Sequence, residues 1–314
     1  MISTTINEYS LPTGKHLRKF EECLILVYQI LGRELIRLLY LFLGIGVVSC
    51  LPLFFSAQGM TWPSTDKWIE ALRPLTNIQH LTYIHPDSEV ERALFPFIFK
   101  PFAMSITVLV LAWILAVGSS FLLALGFQYV SRRGKQAVDA CLAFLQSIPD
   151  VIFVLVAQMV VIWLSQTFRV TFLSFTGAGD STAVVLPVLI LAIVPTIYLL
   201  YAMMESIEQE AAEPYVEFAR SKGLSKGPLL GRHVLRNTLL AVAYRSKYVV
   251  SMLVSNLLIV EYLFENLGMT QFLFSFTQPS VFLVTAVLFF LPIYLLLKVV
   301  EGSTYLITNQ RVDL

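Results

Sequence analysis

The chain has 314 residues, of which 57% are hydrophobic and 14% charged, and its formal net charge is +1. A soluble domain carries about 25% charged and about 45–50% apolar residues, so this excess marks an integral membrane protein. A near-neutral balance gives nucleic-acid binding no electrostatic support, and the scattered cysteines Cys23, Cys50 and Cys141 form no CxxC pair, metal site or disulfide framework.

The opening residues, MISTTINEYSLPTGKHLRKFEE, lack a compact basic–apolar–small cleavage pattern, so no removable signal peptide is expected. Residues 15–34 mix apolar positions with Lys15, Arg18, Lys19, Glu21, Glu22, Arg33 and Glu34. That mixture predicts an interfacial helix within an N-terminal segment 1–34, in preference to a further span.

Six segments then reach the roughly 20 residues a helix needs to cross the hydrocarbon: 35–56, 101–129, 138–166, 183–204, 246–265 and 279–300. Alternating strands of about ten residues are absent, which disfavours a barrel. The predicted fold is an all-α integral membrane protein with six transmembrane helices. Its first part, 35–100, holds span 1 and a segment 57–100 with Trp62, Pro63, Trp68, Pro74 and Pro86, too short for a sizeable core of its own. A core of five spans over 101–302 and a tail over 303–314 follow.

Six spans put both termini on one side. On that topology Lys67, Arg73, Arg92, Lys100 and Arg169 lie on the opposite side, against the other 17 of the 22 Lys and Arg. The positive-inside rule then places both termini in the cytoplasm.

In span 2, the Gly118–Gly126 region and Ala112 with Ala116 offer small faces for helix packing. In span 3, Asp150 falls about a dozen residues in, next to Pro149. An intramembrane carboxylate is costly and generally faces a cavity or pathway. Two readings stay open: Asp150 lines a pathway and meets a cationic group, or it pairs locally with Gln146, Ser147 or Gln158.

Between spans 4 and 5 the oily pattern stops. Residues 205–222 begin with Glu205, Glu208, Glu210 and Glu213 and end with Arg220 and Lys222, a polarity that complements a helix dipole. Pro214 suits a first helical turn and Gly223 the left-handed residue that ends a helix. A short helix over 214–222 is expected, presenting Val216, Ala219 and the ring of Tyr215 or Phe218 outward. Ser225 and Pro228 mark a following helix in which Arg232, His233 and Arg236 precede span 5, with the cations snorkelling at the interface. A solvated connecting loop is the alternative reading.

No GxxxxGK[ST] phosphate loop, Ser/His/Asp set or HExxH motif occurs in the sequence, so no catalytic residue, metal or cofactor is assigned to this chain.

The stretch EPYVEFARSKGLSKGPLLGRHVLRNTLLAV closely resembles the EAA loop of ABC-importer inner-membrane permeases, in particular the peptide/nickel branch. Tyr215, Val216, Ala219, Arg220, Lys222, Gly223, Leu224, Ser225, His233, Leu235, Arg236 and Asn237 match its pattern. The segment around Ser147-Ile148-Pro149 and the stretch LLIVEYLFENLGMTQFL, similar to an E-x-x-F-x-x-x-G-x-G region, follow in the family's order. Pro214, Gly227-Pro228 and Met269 depart from that pattern, and 57–100 lacks a P-G-D-P-like element, which leaves the substrate open.

The resemblance implies a type I ABC-importer permease fold in the cell inner membrane. It implies a coupling loop within 205–245 that uses Glu213, Tyr215, Val216, Ala219, Arg220, Lys222, Gly223 and Leu224 to dock on separate ATPase subunits. Those subunits, and not this chain, would use ATP and Mg. Further implied partners are a second permease subunit, more usually a different chain, and an extracytoplasmic solute-binding protein. Oligopeptides are the first expected cargo, with nickel or another small solute as alternatives. Glu261 matches the family's acidic position, although a structural hydrogen bond would serve equally. An ion-coupled carrier and a membrane scaffold are the competing classes.

Overall fold

Backbone in hydrocarbon must satisfy its own hydrogen bonds, so long apolar runs fold as helices. The computed structural model of the protein describes residues 13–56, 59–60, 62–84, 90–168, 184–223, 235–264, 266–276 and 278–308. Among them are six helical stretches long and apolar enough to cross a membrane: Gly32–Phe54, Phe99–Phe127, Asp150–Thr167, Val185–Ala211, Leu240–Leu263 and Pro279–Leu306. The all-α, six-span architecture is as the run lengths predict.

The chain forms two compact units, Met1–Ser64 and Thr65–Leu314. The first holds helix α1 (Thr13–Cys50), a 3-10 turn over Leu51–Phe54, and a small antiparallel pair, β1 (Phe55–Ser56) with β2 (Gly59–Met60). No break separates the charged stretch 15–34 from span 1. The stretch expected to be an interfacial helix and span 1 thus share one helix, α1, with no proline between them.

The second unit opens with α2 (Thr65–Leu72), 3-10 turns over Arg73–His80, and an antiparallel pair of β3 (Thr82–Ile84) with β4 (Glu91–Ala93). The helices α3 (Phe99–Phe127), α4 (Arg132–Gln146), α5 (Asp150–Phe168), α6 (Val185–Ala211), α7 (Pro214–Ser221), α8 (Leu235–Leu263), α9 (Met269–Ser275) and α10 (Pro279–Thr308) follow. Helix α6 is central: α3 packs on it most extensively, and α8 next. Down α3, Ala112, Ala116, Ser120 and Ala124 are at most 1% exposed. Small side chains every four residues let the neighbouring backbone approach closely. The Ser119 and Thr196 hydroxyls meet across α3 and α6 at 3.1 Å.

Gly118 and Gly126 take no part in the packing within this chain. Both are exposed, and a Cβ at either position would meet nothing within 4 Å. They lie off the face that Ala112 and Ala116 occupy.

The expected span 138–166 is also corrected. It divides into α4, capped at its start by the Ser131 hydroxyl accepting from the Gly134 amide at 3.3 Å, and the apolar α5. Pro149 cannot donate to the preceding turn, so the helix stops at Gln146 and restarts at Asp150. The 19 residues of α5 span about 28 Å, close to the hydrocarbon thickness.

Candidate functional site

The polar stretch between α6 and α8 builds the first candidate. Helix α6 runs past its apolar part to Ala211, and the backbone turns through Ala212 and Glu213. Pro214 then opens α7, where its missing N–H is no loss and its fixed φ suits the first turn. The helix closes with the Lys222 amide donating to the Phe218 carbonyl at 3.2 Å. Gly223 follows at φ +83°, a left-handed conformation that glycine adopts without a Cβ penalty.

The faces of α7 reverse the expected presentation of two residues. Val216 is 0% exposed and Ala219 is 9% exposed, so both turn into the protein. They stand three residues apart on one helical face, and the apolar valine gains by leaving water. Tyr215 and Phe218 occupy the other side, with Phe218 60% exposed and Lys222 over its ring at 4.3 Å from the centroid. The Tyr215 hydroxyl donates to Glu210 at 2.6 Å. Glu213 and Lys222 are exposed. The outward surface therefore carries the Phe218 ring, the Tyr215 phenol and the Lys222 cation together with the exposed carboxylate of Glu217, rather than a small-residue seat. Where α6 ends and α8 begins, Glu205 and Arg245 pair at 3.6 Å. Leu224, Ser225, Pro228, Arg232 and His233 lie outside the described residues. Arg220 is placed in α7 as backbone.

Asp150 is not in the middle of a span, as the sequence suggests, but at the first residue of α5. Its partner is none of the three local candidates. Asn256 of α8, itself 4% exposed, donates its side-chain amide to the Asp150 carboxylate at 3.3 Å. Two turns further along α5, the Gln158 side-chain amide donates to the Leu263 carbonyl at 2.9 Å. Both contacts join α5 to α8.

The opposite end of the bundle, where α3 starts and α8 ends, holds a second polar centre. Glu261 is 3% exposed. Its carboxylate accepts from the Ser105 hydroxyl, from the Thr270 hydroxyl at 2.5 Å, and from the Thr270 and Gln271 amides at 3.1 and 3.2 Å. The Ser105 oxygen also accepts from the Met269 amide at 2.6 Å. Phe264 is 1% exposed, and the Gly268 amide donates to the Asn266 carbonyl at 2.7 Å. The acidic position was visible in the sequence as a structural candidate. Ser105 was missed, because it lies 156 residues away with no local pattern to mark it. Among the described residues no group of three or more His, Cys, Asp and Glu could hold a metal ion.

Comparison with known proteins bears on the greater part of the second unit. The family model described as "Binding-protein-dependent transport system inner membrane component" matches residues 116–313. A protein of Brucella abortus (strain 2308) named "Putative peptide transport system permease protein" is 30% identical over 111 residues, 35% of each chain. Proteins of the same description from Brucella suis biovar 1 (strain 1330) and Brucella melitensis biotype 1 match to the same extent. The alignment thus spans about a third of the length of these relatives.

Proposed function

Because this chain belongs to the family of binding-protein-dependent transport system inner membrane components, we propose that it is a permease subunit of an ATP-driven importer. It is a multi-pass protein of the inner membrane. With a second permease subunit, a different chain, it forms the pathway for a solute handed over by an extracytoplasmic binding protein. Both termini and α7 face the cytoplasm. Separate ATPase subunits bind ATP and Mg, and this chain carries out no hydrolysis. The cargo class is oligopeptide, a reading supported by the peptide-transport names of the Brucella relatives.

The observation that carries the proposal is the α7 surface. A helix of eight residues, stopped at Gly223, displays Tyr215, Phe218 and Lys222 on its exposed side. An exposed aromatic and cationic cluster on a short helix fits a pocket on a partner, since rings supply most contact area at low entropic cost. Val216 and Ala219 then act by seating α7 on its own subunit, while Glu213 and Lys222 flank the docking face. Closure of the ATPases on ATP would move α7, and the Glu205–Arg245 contact would pass that motion to α6 and α8.

The test is reconstitution of the chain with its second permease, ATPases and binding protein in proteoliposomes. ATP-dependent oligopeptide uptake is expected, and Phe218→Glu should abolish both uptake and ATPase recovery while the chain stays in the membrane. Undiminished ATPase recovery by Phe218→Glu would sink the docking role, and uptake driven by a proton gradient without ATP would sink the importer.

A further inference from the structure

The proposed transport role leaves Glu261 unused. It lies in the last turn of α8, buried, and its partners among the described residues are hydroxyls and amides rather than a cation. Those partners come from two other elements, α3 through Ser105 and α9 through Thr270 and Gln271.

The arrangement has a definite logic. A helix leaves its first amides without partners inside itself. At the start of α9 the preceding residue is Gly268, which has no side chain to offer. The Met269 amide therefore goes to Ser105, and the Thr270 and Gln271 amides go to Glu261. The Ser105 hydroxyl closes the ring by donating to the same carboxylate. A seven-residue helix is far too short to persist on its own. Side chains of α3 and α8 satisfy its first turn.

The other face of α9 is equally committed. Phe272 and Phe276 lie edge-on to the Tyr83 ring, with centroids 5.7 and 4.7 Å away, and Tyr83 stacks on Phe97 at 5.7 Å. Leu81, Leu94 and Ile98, around β3 and β4, are at most 2% exposed. Helix α9 thus stands between the described parts of the 81–98 segment, 81–84 and 90–98, and the start of α3 and end of α8, with apolar contacts on one side and a hydrogen-bonded clasp on the other.

We infer that Glu261 is a positioning residue that fastens the 81–98 segment, through α9, to α3 and α8, so that a load on that segment reaches those two spans. The clasp itself is independent of what the protein transports. Its functional consequence rests on the importer reading, in which 81–98 lies on the side where the binding protein arrives. Engagement there would press on α9, and the Glu261–Ser105 clasp would carry the displacement into the bundle.

The experiment has two arms, on the full chain in lipid nanodiscs. In the first, amide hydrogen exchange is compared between wild type, Glu261→Gln and the milder Ser105→Ala. Exchange about tenfold faster in both 269–276 and 81–98, with 185–211 unchanged, is expected for Glu261→Gln, and a smaller rise at the same places for Ser105→Ala. If 269–276 loosens while 81–98 does not, or if neither changes, the linkage is wrong. A global rise in Glu261→Gln reports unfolding, and Ser105→Ala then decides by the same criterion.

In the second arm, ATP hydrolysis by the assembled complex is measured with and without its loaded binding protein. Glu261→Gln, or Ser105→Ala if the first variant unfolds, should keep the basal rate and lose at least about fivefold of the stimulation. Intact stimulation in a variant whose 81–98 exchange has risen overturns the transmission. Absence of stimulation in wild type overturns the importer reading instead, while the exchange arm continues to judge the clasp.

Discussion

The Glu261 carboxyl fills the space that a side chain at Gly268 would occupy: a Cβ built on Gly268 collides with all three carboxyl atoms. The glycine of the E-x-x-F-x-x-x-G stretch is thus required by volume, since its φ of −100° is open to any residue.

Gly268→Ala should therefore expel the carboxylate from the first turn of α9. A loss of about 1–3 kcal/mol is expected, the usual cost of forcing one extra carbon into a packed site. Thermal unfolding in detergent should show a lower midpoint for Gly268→Ala, with Gly302→Ala, inside α10 where nothing lies within 4 Å, as a control that is neutral or mildly stabilising. Equal midpoints for the two variants would contradict the volume argument.

On α7, stability and docking should separate by face. Val216→Ala removes buried methyl groups and should cost about 2 kcal/mol. Tyr215→Ala combined with Phe218→Ala removes exposed rings, should shift stability by less than about 1 kcal/mol, and should prevent recovery of the ATPase on affinity purification. A docking defect in Val216→Ala at full stability, with none in the double variant, would reverse the assignment of faces.

The link between Asp150 and Asn256 predicts a measurable coupling. In a double-mutant cycle of Asp150→Ala and Asn256→Ala the interaction energy should fall at about 0.5–2 kcal/mol, the range for polar contacts between membrane helices. Additive effects, read from unfolding in mixed detergent, would mean that the two side chains do not cooperate.

Helix α3 offers a contrast within three residues. Ala116→Leu places a large side chain at a fully buried position and should destabilise by at least about 1–3 kcal/mol. Gly118→Leu, on an exposed face, should be neutral or mildly stabilising because it removes backbone freedom. Expression level and unfolding midpoint would show the difference, and equal damage at both sites would refute the packing face.

Much of this was legible in one dimension. Run length located all six spans, and Pro214 and Gly223 bracketed α7 because each has a conformational preference that needs no tertiary context. The failures have a common cause. Hydropathy read 138–166 as one crossing because it averages over a proline break, so Asp150 looked buried in mid-span when it begins a helix. Val216 and Ala219 looked like contact residues because a short helix with apolar side chains on two faces does not declare which one is covered. Ser105 carries no signal at all, since its partner is set by how α3 lies against α8.

The two contacts between α5 and α8 work as a pair of pins. Asp150 to Asn256 and Gln158 to Leu263 advance in the same direction along both helices. Sliding α5 by one turn, about 5.4 Å, would break both at once. Rotation of α5 about the line joining them would leave both contacts in place. A shift of α5 along its axis is thus opposed at two levels of α8 at once.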